Sequence, residues 1–509
     1  MNHYKKIIFA ISAILVMSSC LKEEPTFLSE ESAYANLTNA KSTLGGVYEA
    51  VAGYRYMGND FLYLTYGNSG FYVSGIKNSN TATDNVFLCS LKPQPSATYN
   101  ENTWQRLYIS IDRANAFINN VPIVSDSAVA DIAEWNDLIG EAYFLRAYGY
   151  FNLVRLWGEV PLRIEPTTMN NIHKAKSKTD VIYTQILNDI DMAKKLMFDV
   201  SSQRIGYPAA EAASMLEAKV YMQMATTEDD VPQTGENFWQ KAYDAAKVVY
   251  GKYSLVNNYE SLWLEDENNN TSESIFEVQY NDVAHSNYVK LFTAAKATKG
   301  NSWGRLRMNA ELYDNHLETY PNDSIRMRST FKTGFVNQKT HKYTKCYPET
   351  TKRNKMANAF NYLHKYWEKN IENMTSFNFQ NFLVYRYADL LLMLAEISNE
   401  LQNGEQYGYV EEVLDRVGLT PQEEYNGGQE AFRRAVMYEY RYELLGEAHD
   451  WFNNRRRGYE WFNNEVIIPH NTYVNFNDNV DVTLYDDRNT VMHLPTPTSE
   501  INTNDEVDD

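Results

Sequence analysis

The chain has 509 residues, of which 44% are hydrophobic and 14% aromatic, and 47 basic against 66 acidic side chains give a formal charge of −19. This apolar content excludes simple disorder and allows a large core. The acidic balance disfavours a non-specific nucleic-acid binder, and three cysteines exclude a disulfide scaffold.

The first twenty residues have the order of a secretory signal. Lys5 and Lys6 precede a short apolar run, Ile7 to Met17, which is too short to cross a hydrocarbon core of about 30 Å. Small residues then lead to Cys20, and the segment from Met17 to Cys20 resembles a bacterial lipobox. This resemblance implies cleavage before Cys20 and lipidation of that cysteine; the alternative is an ordinary secretory signal with a chance cysteine.

We therefore expect a lipoprotein signal peptide over residues 1–19, a lipidated tether over residues 20–36 and a single domain over residues 37–509. Lys22-Glu23-Glu24 resembles the signal that sends some lipoproteins to the outer face of the outer membrane. No later stretch reaches 18 apolar residues, so the mature chain is expected to be anchored to the membrane without spanning it.

Apolar residues recur at helical spacing in two regions, about 103–253 and 385–462. The clearest stripe lies in a helix predicted over Asn136–Trp157, which Gly158 and Pro161 end. Further helices are expected at Leu37–Tyr54, Trp104–Ala114, Asp180–Met197, from Pro208, at Phe238–Val249, Tyr385–Leu401, Tyr409–Val417 and Gly428–Leu445. Paired helices with small residues at their contacts favour tetratricopeptide-like repeats, with a plain helical bundle as the alternative.

Two aromatic-rich regions, about 56–100 and 281–380, have no strong period and are expected to be long loops. Ser274–Tyr280 alternates apolar and polar residues and predicts a short strand. The sequence therefore predicts a mainly α fold, in which tetratricopeptide-like helical pairs carry long irregular loops and a few short strands.

Common catalytic and phosphate-binding motifs do not occur in the sequence, so we expect no catalytic residue, metal or cofactor. Asp266, Asn268, Asn270 and Glu277 have calcium-loop spacing, but Thr271 occupies the position that needs glycine, which argues against a metal there. The basic run Arg455-Arg456-Arg457 is expected to be a solvated helix end or to form internal salt bridges, with contact to a partner as the alternative. The acids considered for those bridges are Glu439, Glu443 and Glu447.

Several motifs resemble, in order, those of one family. The most specific are the run Gly140-Glu141-Ala142-Tyr143-Phe144-Leu145-Arg146-Ala147, with its continuation to Leu162, and the run from Arg386 to Glu396. Supporting blocks lie at Trp104–Asn115, Asn269–Tyr280, Glu439–Asp450 and Leu494–Ile501. Together these motifs resemble the SusD/RagB family of surface-exposed nutrient-binding lipoproteins.

The resemblance implies a tetratricopeptide-type scaffold without catalysis. It implies a protein that lies as a lid on a SusC-like TonB-dependent transporter in the outer membrane, facing the cell exterior. Oligosaccharides are the ligands it implies first, and peptides are the alternative. It also implies that Glu141 and Arg146 are buried charges paired inside the scaffold.

Ligand contacts in the family come from variable loops, which correspond by position to residues 63–100 and 281–307. Because the C–H faces of sugars stack on aromatic rings, we expect four stacking platforms, namely Tyr66, Phe71, Tyr72 and Trp303. Three polar residues are expected to hydrogen-bond sugar hydroxyls, namely Asp84, Asn301 and Arg305.

Two other classes of function stay open. One is a surface glycosidase or peptidase, and the other is a scaffold whose helical repeats recruit proteins without binding a nutrient. The acidic charge disfavours strongly acidic glycans as ligands. The sequence leaves open which glycan or peptide is bound and whether Cys89 and Cys346 pair.

Overall fold

The computed structural model describes residues 30–74, 80–121, 131–227, 235–264, 267, 269–281, 285–296, 298, 302–350, 360–367, 379–473 and 483–507. The predicted signal peptide and Cys20 lie outside these residues. Residues up to Thr43 and residues from Leu44 onward form separate compact units. In the described part of the chain, no helix is both long and apolar enough for a membrane crossing.

Helices make up most of the described structure. A single turn covers Glu30–Ala33, and a π-helical turn covers Tyr54–Gly58. In chain order the α-helices are α1 (Leu37–Ala52), α2 (Asp60–Gly67), α3 (Asn80–Cys89), α4 (Thr98–Asn120), α5 (Ile132–Trp157), α6 (Thr179–Leu196), α7 (Ala210–Thr226), α8 (Phe238–Val249), α9 (Val289–Thr293), α10 (Ala310–Thr319), α11 (Ser324–Thr330), α12 (Tyr387–Leu401), α13 (Gln406–Asp415), α14 (Gln429–Leu444), α15 (Asp450–Arg456), α16 (Tyr459–Phe462), α17 (Ile468–Tyr473), α18 (Arg488–Val491) and α19 (Thr498–Thr503).

The scaffold of the second unit is a succession of neighbouring helices. Each helix from α4 to α8 packs on the next, α8 packs on α12, and α12 packs on α13 and α14. Small residues allow these approaches: a Cβ on Gly140 of α5 would lie 2.7 Å from Met197 Cγ, and Ala242 and Ala246 of α8 are fully buried. The mainly α fold with helical pairs is confirmed.

The strands are short and all pair antiparallel. They are β1 (Tyr72–Ser74), β2 (Val160–Pro161), β3 (Lys176–Ser177), β4 (Ser274–Val278), β5 (Leu306–Met308), β6 (Phe331–Lys332), β7 (Gly334–Val336), β8 (Tyr343–Lys345), β9 (Tyr362–Leu363) and β10 (Phe382–Arg386). The pairs are β1 with β5, β2 with β3, β4 with β10, β6 with β9, and β7 with β8. Strand β4 confirms the strand predicted from residue 274, and Phe382 of β10 lies opposite its Val278.

Both regions predicted as irregular contain regular elements. Region 56–100 holds most of the π-helical turn and all of α2 and α3, and region 281–380 holds α9 to α11 with β5 to β9. All eight residues of α2 are buried. A helix that is buried all round has no polar face, so its sequence shows no amphipathic period.

The two family-motif charges are buried and paired. Arg146 donates to Asp189 at 2.6 Å, and Glu141 accepts hydrogen bonds from Arg204 and from Tyr48. Because each of these buried groups has bonded partners, Arg146 ties α5 to α6 and Glu141 ties α5 to α1 and to the segment around Arg204.

The basic run at the end of α15 forms internal salt bridges, one of the two expected arrangements, but not with the acids that were predicted. Arg456 and Arg457 both bond to Glu396 of α12, and Arg455 donates to the backbone carbonyl of Arg155. The run therefore packs inside the scaffold. The two cysteines that can be described, Cys89 and Cys346, are buried free thiols.

Glu439, Glu443 and Glu447, the acids predicted to pair with that run, belong instead to a buried cluster of charges centred on Arg386. We call this cluster the Arg386 network. Arg386 bonds to Glu273 at 2.7 Å, to Glu443 at 2.8 Å and to Glu447 at 2.7 Å. The network also contains Arg416, Lys365, Arg326, Glu439 and Asp323. Burial alone would raise the pKa of Glu443, but the nearby guanidinium groups hold it well below its ordinary value.

We expect Glu443→Gln to lower the free energy of unfolding by about 3–5 kcal/mol, because it leaves buried cations without their counter-charge. Denaturant unfolding measures this change. As a control, Arg328→Ala removes a bridge to Glu260 whose arginine is 56% exposed, and it should cost less than about 1 kcal/mol. Equal small losses for the two variants would contradict the structural role of the network.

Asp450, at the start of α15, makes the stability of the folded chain depend on pH. Its carboxylate accepts a hydrogen bond from the Gly446 backbone N–H at 3.3 Å, and burial raises its pKa from 3.8 to about 7. The folded chain therefore keeps a proton that the unfolded chain releases. The stability that this proton contributes is complete below pH 3.8 and is lost as the pH rises through about 7.

Asp450→Asn removes this titration. We expect the free energy of unfolding of the variant, relative to the parent chain, to increase by on the order of 4 kcal/mol between about pH 4 and pH 8. Denaturant unfolding of both chains across this pH range measures the difference. A difference that stays constant with pH would show that Asp450 does not hold its proton in the folded state.

Candidate ligand-binding site around Arg305

Buried aromatic rings of α2 and α9 pack together beneath one part of the surface. The ring centroid of Phe292 in α9 lies 5.2 Å from that of Tyr63 and 5.6 Å from that of Tyr66, both in α2. Tyr66 also donates its hydroxyl to the backbone carbonyl of Gly446. This packing holds α2 and α9 together beneath the segment that follows α9.

That segment carries Trp303 and Arg305. The backbone N–H of Trp303 donates to Leu291 at 2.5 Å, and that of Arg305 donates to Phe292 at 3.0 Å. Gly304, between them, has φ +56°, and a Cβ there would lie 2.9 Å from the Lys296 backbone nitrogen. Both side chains are therefore placed by backbone contacts to the end of α9.

The guanidinium of Arg305 joins the aromatic and polar parts of the site. It lies 3.8 Å from the ring centroid of the partly exposed Trp303, and its Nη1 donates to the hydroxyl of Tyr99 at 2.7 Å. Its Nε is buried and has no hydrogen-bond partner among the described residues. Burial raises the pKa of Tyr99 to about 12, so this phenol stays protonated.

Polar side chains form one wall of the site, at the start of α2 where α4 packs beside it. Asp60 accepts hydrogen bonds from the side-chain amides of Asn59 and Asn102, both at 2.7 Å. Burial raises the pKa of Asp60, and the two amides and the charges of Arg55 and Arg305 oppose that rise. The arrangement holds Asn102, which is partly exposed, in one orientation.

Two tyrosines complete the surface. Tyr54 is 40% exposed, and its ring lies edge-on to Tyr288, with centroids 4.9 Å apart. Burial and then the charge of Asp60 raise the pKa of Tyr54 to about 12. The backbone N–H of Tyr288 donates to Gly58 at 3.1 Å. We call the assembled cluster the Arg305 site; it comprises Tyr54, Asp60, Tyr99, Asn102, Tyr288, Trp303 and Arg305.

This composition suits a neutral polar ligand with apolar faces. Partly exposed rings offer stacking surfaces, and a guanidinium, an amide and protonated phenols lie beside them as hydrogen-bond donors. Sugars have both features, because their C–H faces stack while their hydroxyls donate and accept.

The structure brings three of the predicted ligand residues together. Trp303 and Arg305 are in the Arg305 site, and the partly exposed Asp84 lies close enough to influence the pKa of Tyr99 electrostatically. Asn301 lies outside the described residues.

The other three predicted residues are placed in the core. Tyr66 is 1% exposed and stacks on Tyr72, which is fully buried, with ring centroids 5.5 Å apart. Phe71 is buried beneath the guanidinium of Arg441, 4.4 Å from its ring centroid. This corrects the expectation of free stacking faces: the aromatic run from 61 to 72 folds into an all-buried helix and strand β1. We leave these three rings out of the Arg305 site.

Sequence reasoning missed five residues of the Arg305 site, namely Tyr54, Asp60, Tyr99, Asn102 and Tyr288. The apolar pattern places Tyr54 at the end of the first predicted helix. In the structure α1 ends at Ala52, and a π-helical turn exposes the Tyr54 ring. Asn102 precedes the apolar stripe of α4 and gives no periodic signal. Tyr288 lies in the loop region 281–307, which is expected by position to contribute ligand contacts, but nothing in the pattern distinguishes it there.

Two pockets with different linings are also present among the described residues. One of about 480 Å³ is lined by Tyr320, Tyr425, Tyr438 and Tyr442, and the hydroxyls of Tyr320 and Tyr425 bond to Glu439. Another of about 450 Å³ contains the end of the calcium-loop pattern. There Glu277 accepts hydrogen bonds from the Asn270 backbone and the Asn381 side chain; Asp266 and Asn268 lie outside the described residues.

Family models match both halves of the chain. A model described as the SusD family matches residues 259–509, and one described as "Starch-binding associating with outer membrane" matches residues 22–222. Among characterised relatives, SusD-like protein P25 of Formosa agariphila is 24% identical over 485 residues, which cover 89% of each chain.

Solved structures share the fold over nearly the whole chain. A SusD homologue from Bacteroides thetaiotaomicron VPI-5482 superposes with a TM-score of 0.77 at 20% identity and covers 93% of this chain and 96% of its own. A laminarin-binding SusD-like protein superposes with a TM-score of 0.69 at 22% identity and covers 92% and 97%. These likenesses show a common fold.

Gly304→Ala tests how the Trp303 segment is held. We expect it to lower the free energy of unfolding by about 1–3 kcal/mol, because alanine is strained at this positive φ and its Cβ would press on the Lys296 backbone. Gly404→Ala is the matched control, since Gly404 has φ +87° with nothing within 4 Å of its Cβ position. Denaturant unfolding should show a smaller loss for Gly404→Ala; equal losses would mean that the contact with Lys296 is unimportant.

Proposed function

Since the chain belongs to the SusD/RagB family, we propose that it binds oligosaccharides at the Arg305 site, on the surface of the outer membrane. The observation that carries this proposal is the combination of partly exposed Trp303, Tyr54 and Tyr288 with the hydrogen-bonding groups of Arg305 and Asn102. In this arrangement the rings can stack on the C–H faces of a sugar, while the donors can bond to its hydroxyls.

The proposed ligand is a neutral glycan. The phenols of Tyr54 and Tyr99, whose pKa values burial raises to about 12, are neutral hydrogen-bonding groups, and the formal charge of −19 repels polyanions. The starch-binding description of one matching family model and the laminarin-binding structural neighbour support neutral glucans as the first candidates.

We propose binding without turnover. The two oxygens of Asp60 accept side-chain amide hydrogen bonds, one from Asn59 and one from Asn102, and the residue is 2% exposed. Most glycosidases need two carboxyl groups that reach the glycosidic bond from either side. Asp60 instead acts as a buried acceptor that orients Asn102.

The bound glycan is then passed to a SusC-like TonB-dependent transporter in the outer membrane, while a lipid on Cys20 anchors the chain at the cell exterior. The lipobox-like segment from Met17 to Cys20 supports the anchor. The outer-membrane association named in the family-model description supports the location. Mass spectrometry of the chain purified from membranes tests the anchor, through a diacylglyceryl group on Cys20.

Calorimetric titration of the chain from Leu21 onward tests the binding site. The probes are starch-derived and laminarin-derived oligosaccharides and a set of short peptides. We expect heat with one glycan class, and we expect Trp303→Ala to weaken that binding at least about tenfold, as truncation of a central aromatic contact does. Tyr343→Ala is the control, since Tyr343 is 54% exposed on β8 and its hydroxyl bonds to Glu349 at 2.8 Å rather than to a residue of the Arg305 site.

Three outcomes would contradict parts of the proposal. Equal affinity for Trp303→Ala and the parent chain would remove the Arg305 site from glycan binding. Heat with peptides alone would change the ligand class to peptides. New oligosaccharides found by chromatography of the titrated solutions would show that the protein is an enzyme.

A further inference from the structure

A groove runs along helix α4 from the edge of the Arg305 site. Its volume is about 890 Å³, near the upper end of the range for ligand pockets. Its walls are the exposed side of α4, the segment after β2 and helix α19. We call it the α4 groove; the side chains that carry the argument below are Asn102, Gln105, Ile109, Asp112, Arg113 and Ile172.

The groove is continuous with the Arg305 site. Asn102 lines the groove and donates to Asp60 in the site at 2.7 Å. One turn further along α4, Gln105 accepts a hydrogen bond from Arg55 at 3.5 Å, and the charge of Arg55 acts on Asp60. A ligand that contacts Asn102 at the Arg305 site therefore also contacts a residue that lines the groove.

The groove is long. Its lining residues on α4 extend from Glu101 to Asn115, a separation of fourteen residues, which at 1.5 Å per residue is about 21 Å along the helix axis. A single sugar bound at the Arg305 site would leave most of this length empty. An extended chain would fill it.

The lining is pre-ordered and nearly neutral. Arg113 donates to Gly46 and Glu49, and Asp112 accepts from the Thr167 backbone at 2.8 Å. Because these side chains already have partners, little side-chain freedom is lost when a ligand enters. The lining carries two arginines and three carboxylates, so its net charge is small. Ile172, which is 42% exposed, and Ile109 add apolar contact area.

The walls also favour a glycan over an extended peptide. A bound peptide strand obtains its main-chain hydrogen bonds from an exposed sheet edge. Most of the α4 groove is lined by helices, whose backbone groups are already bonded within the helix. A sugar chain needs only side-chain contacts of the kind that Gln105, Asp112 and Ile109 provide.

We propose that the α4 groove binds the continuation of a neutral linear oligosaccharide whose first units occupy the Arg305 site. This inference rests on the proposed function, and it adds that the chain selects for glycan length. Short oligosaccharides would use the Arg305 site alone, whereas longer ones would gain contacts along α4.

The experiment is calorimetric titration with two ladders of neutral oligosaccharides, from starch and from laminarin, each from two to eight sugar units. The groove variant is Ile172→Arg, which places bulk and charge in the groove from an exposed position. Met169→Arg is the matched control, because Met169 is 86% exposed on the same segment and does not line the groove. Trp303→Ala reports on the Arg305 site, and thermal melting of each variant checks that it folds.

We expect the parent chain and Met169→Arg to bind the longest oligosaccharide of the recognised ladder about tenfold more tightly than the shortest one bound. Ile172→Arg should lose this gain with length while its affinity for the short oligosaccharide stays within about twofold of the parent value. Trp303→Ala should weaken binding at every length.

The two proposals fail in different ways. If affinity does not rise with length in the parent chain, or if Ile172→Arg keeps the rise, the α4 groove is not part of the binding surface, while the Arg305 site stands. If neither ladder binds, or if Trp303→Ala binds as the parent does, the glycan proposal for the Arg305 site is itself overturned, and the groove inference with it.

Discussion

The Arg386 network is the constraint on which the rest of the second unit depends. Arg386, at the end of β10, bonds to carboxylates from two distant segments: Glu273 lies just before β4, and Glu443 and Glu447 lie at the end of α14 and just after it. Buried ion pairs give little net stability compared with apolar packing, but an unpaired member is very costly. We therefore regard the network as a device for selecting one arrangement: only the correct register of strand and helices gives every buried charge a partner.

The network also determines where the Arg305 site lies. The chain turns at Gly446, which lies between Glu443 and Glu447 of the network, and the Gly446 carbonyl accepts a hydrogen bond from the hydroxyl of Tyr66. Tyr66 belongs to α2, the helix that begins with Asp60. A misplaced α14 would therefore shift α2, and with it the wall formed by Asp60 and Asn102. Residues predicted as ligand contacts, such as Tyr66, act instead as the support under the site.

The sequence predicted the scaffold well because its helices are amphipathic or carry family motifs. The helix predicted at Phe238–Val249 has those bounds in the structure, and the strand from Ser274 is present. The site was harder to predict, because its residues come from three distant segments and share no period. Trp303 and Arg305 could be named from loop position, whereas Tyr54 depends on where α1 ends. Helix α2 could not be recognised, since total burial leaves no polar face.

The abundance of tyrosine is a poor guide to the ligand surface in this chain. Among the described tyrosines many are buried or half-buried and bond within the protein: Tyr320 donates to Glu439, Tyr259 to the Glu443 carbonyl and the half-buried Tyr48 to Glu141. Burial raises their pKa values and keeps these phenols neutral, so they satisfy buried acceptors without adding charge. The site differs in having Tyr54 and Trp303 partly open to solvent beside Arg305, whose Nε has no partner among the described residues. Exposure of aromatic rings beside hydrogen-bonding side chains, rather than aromatic content, distinguishes this surface from the core.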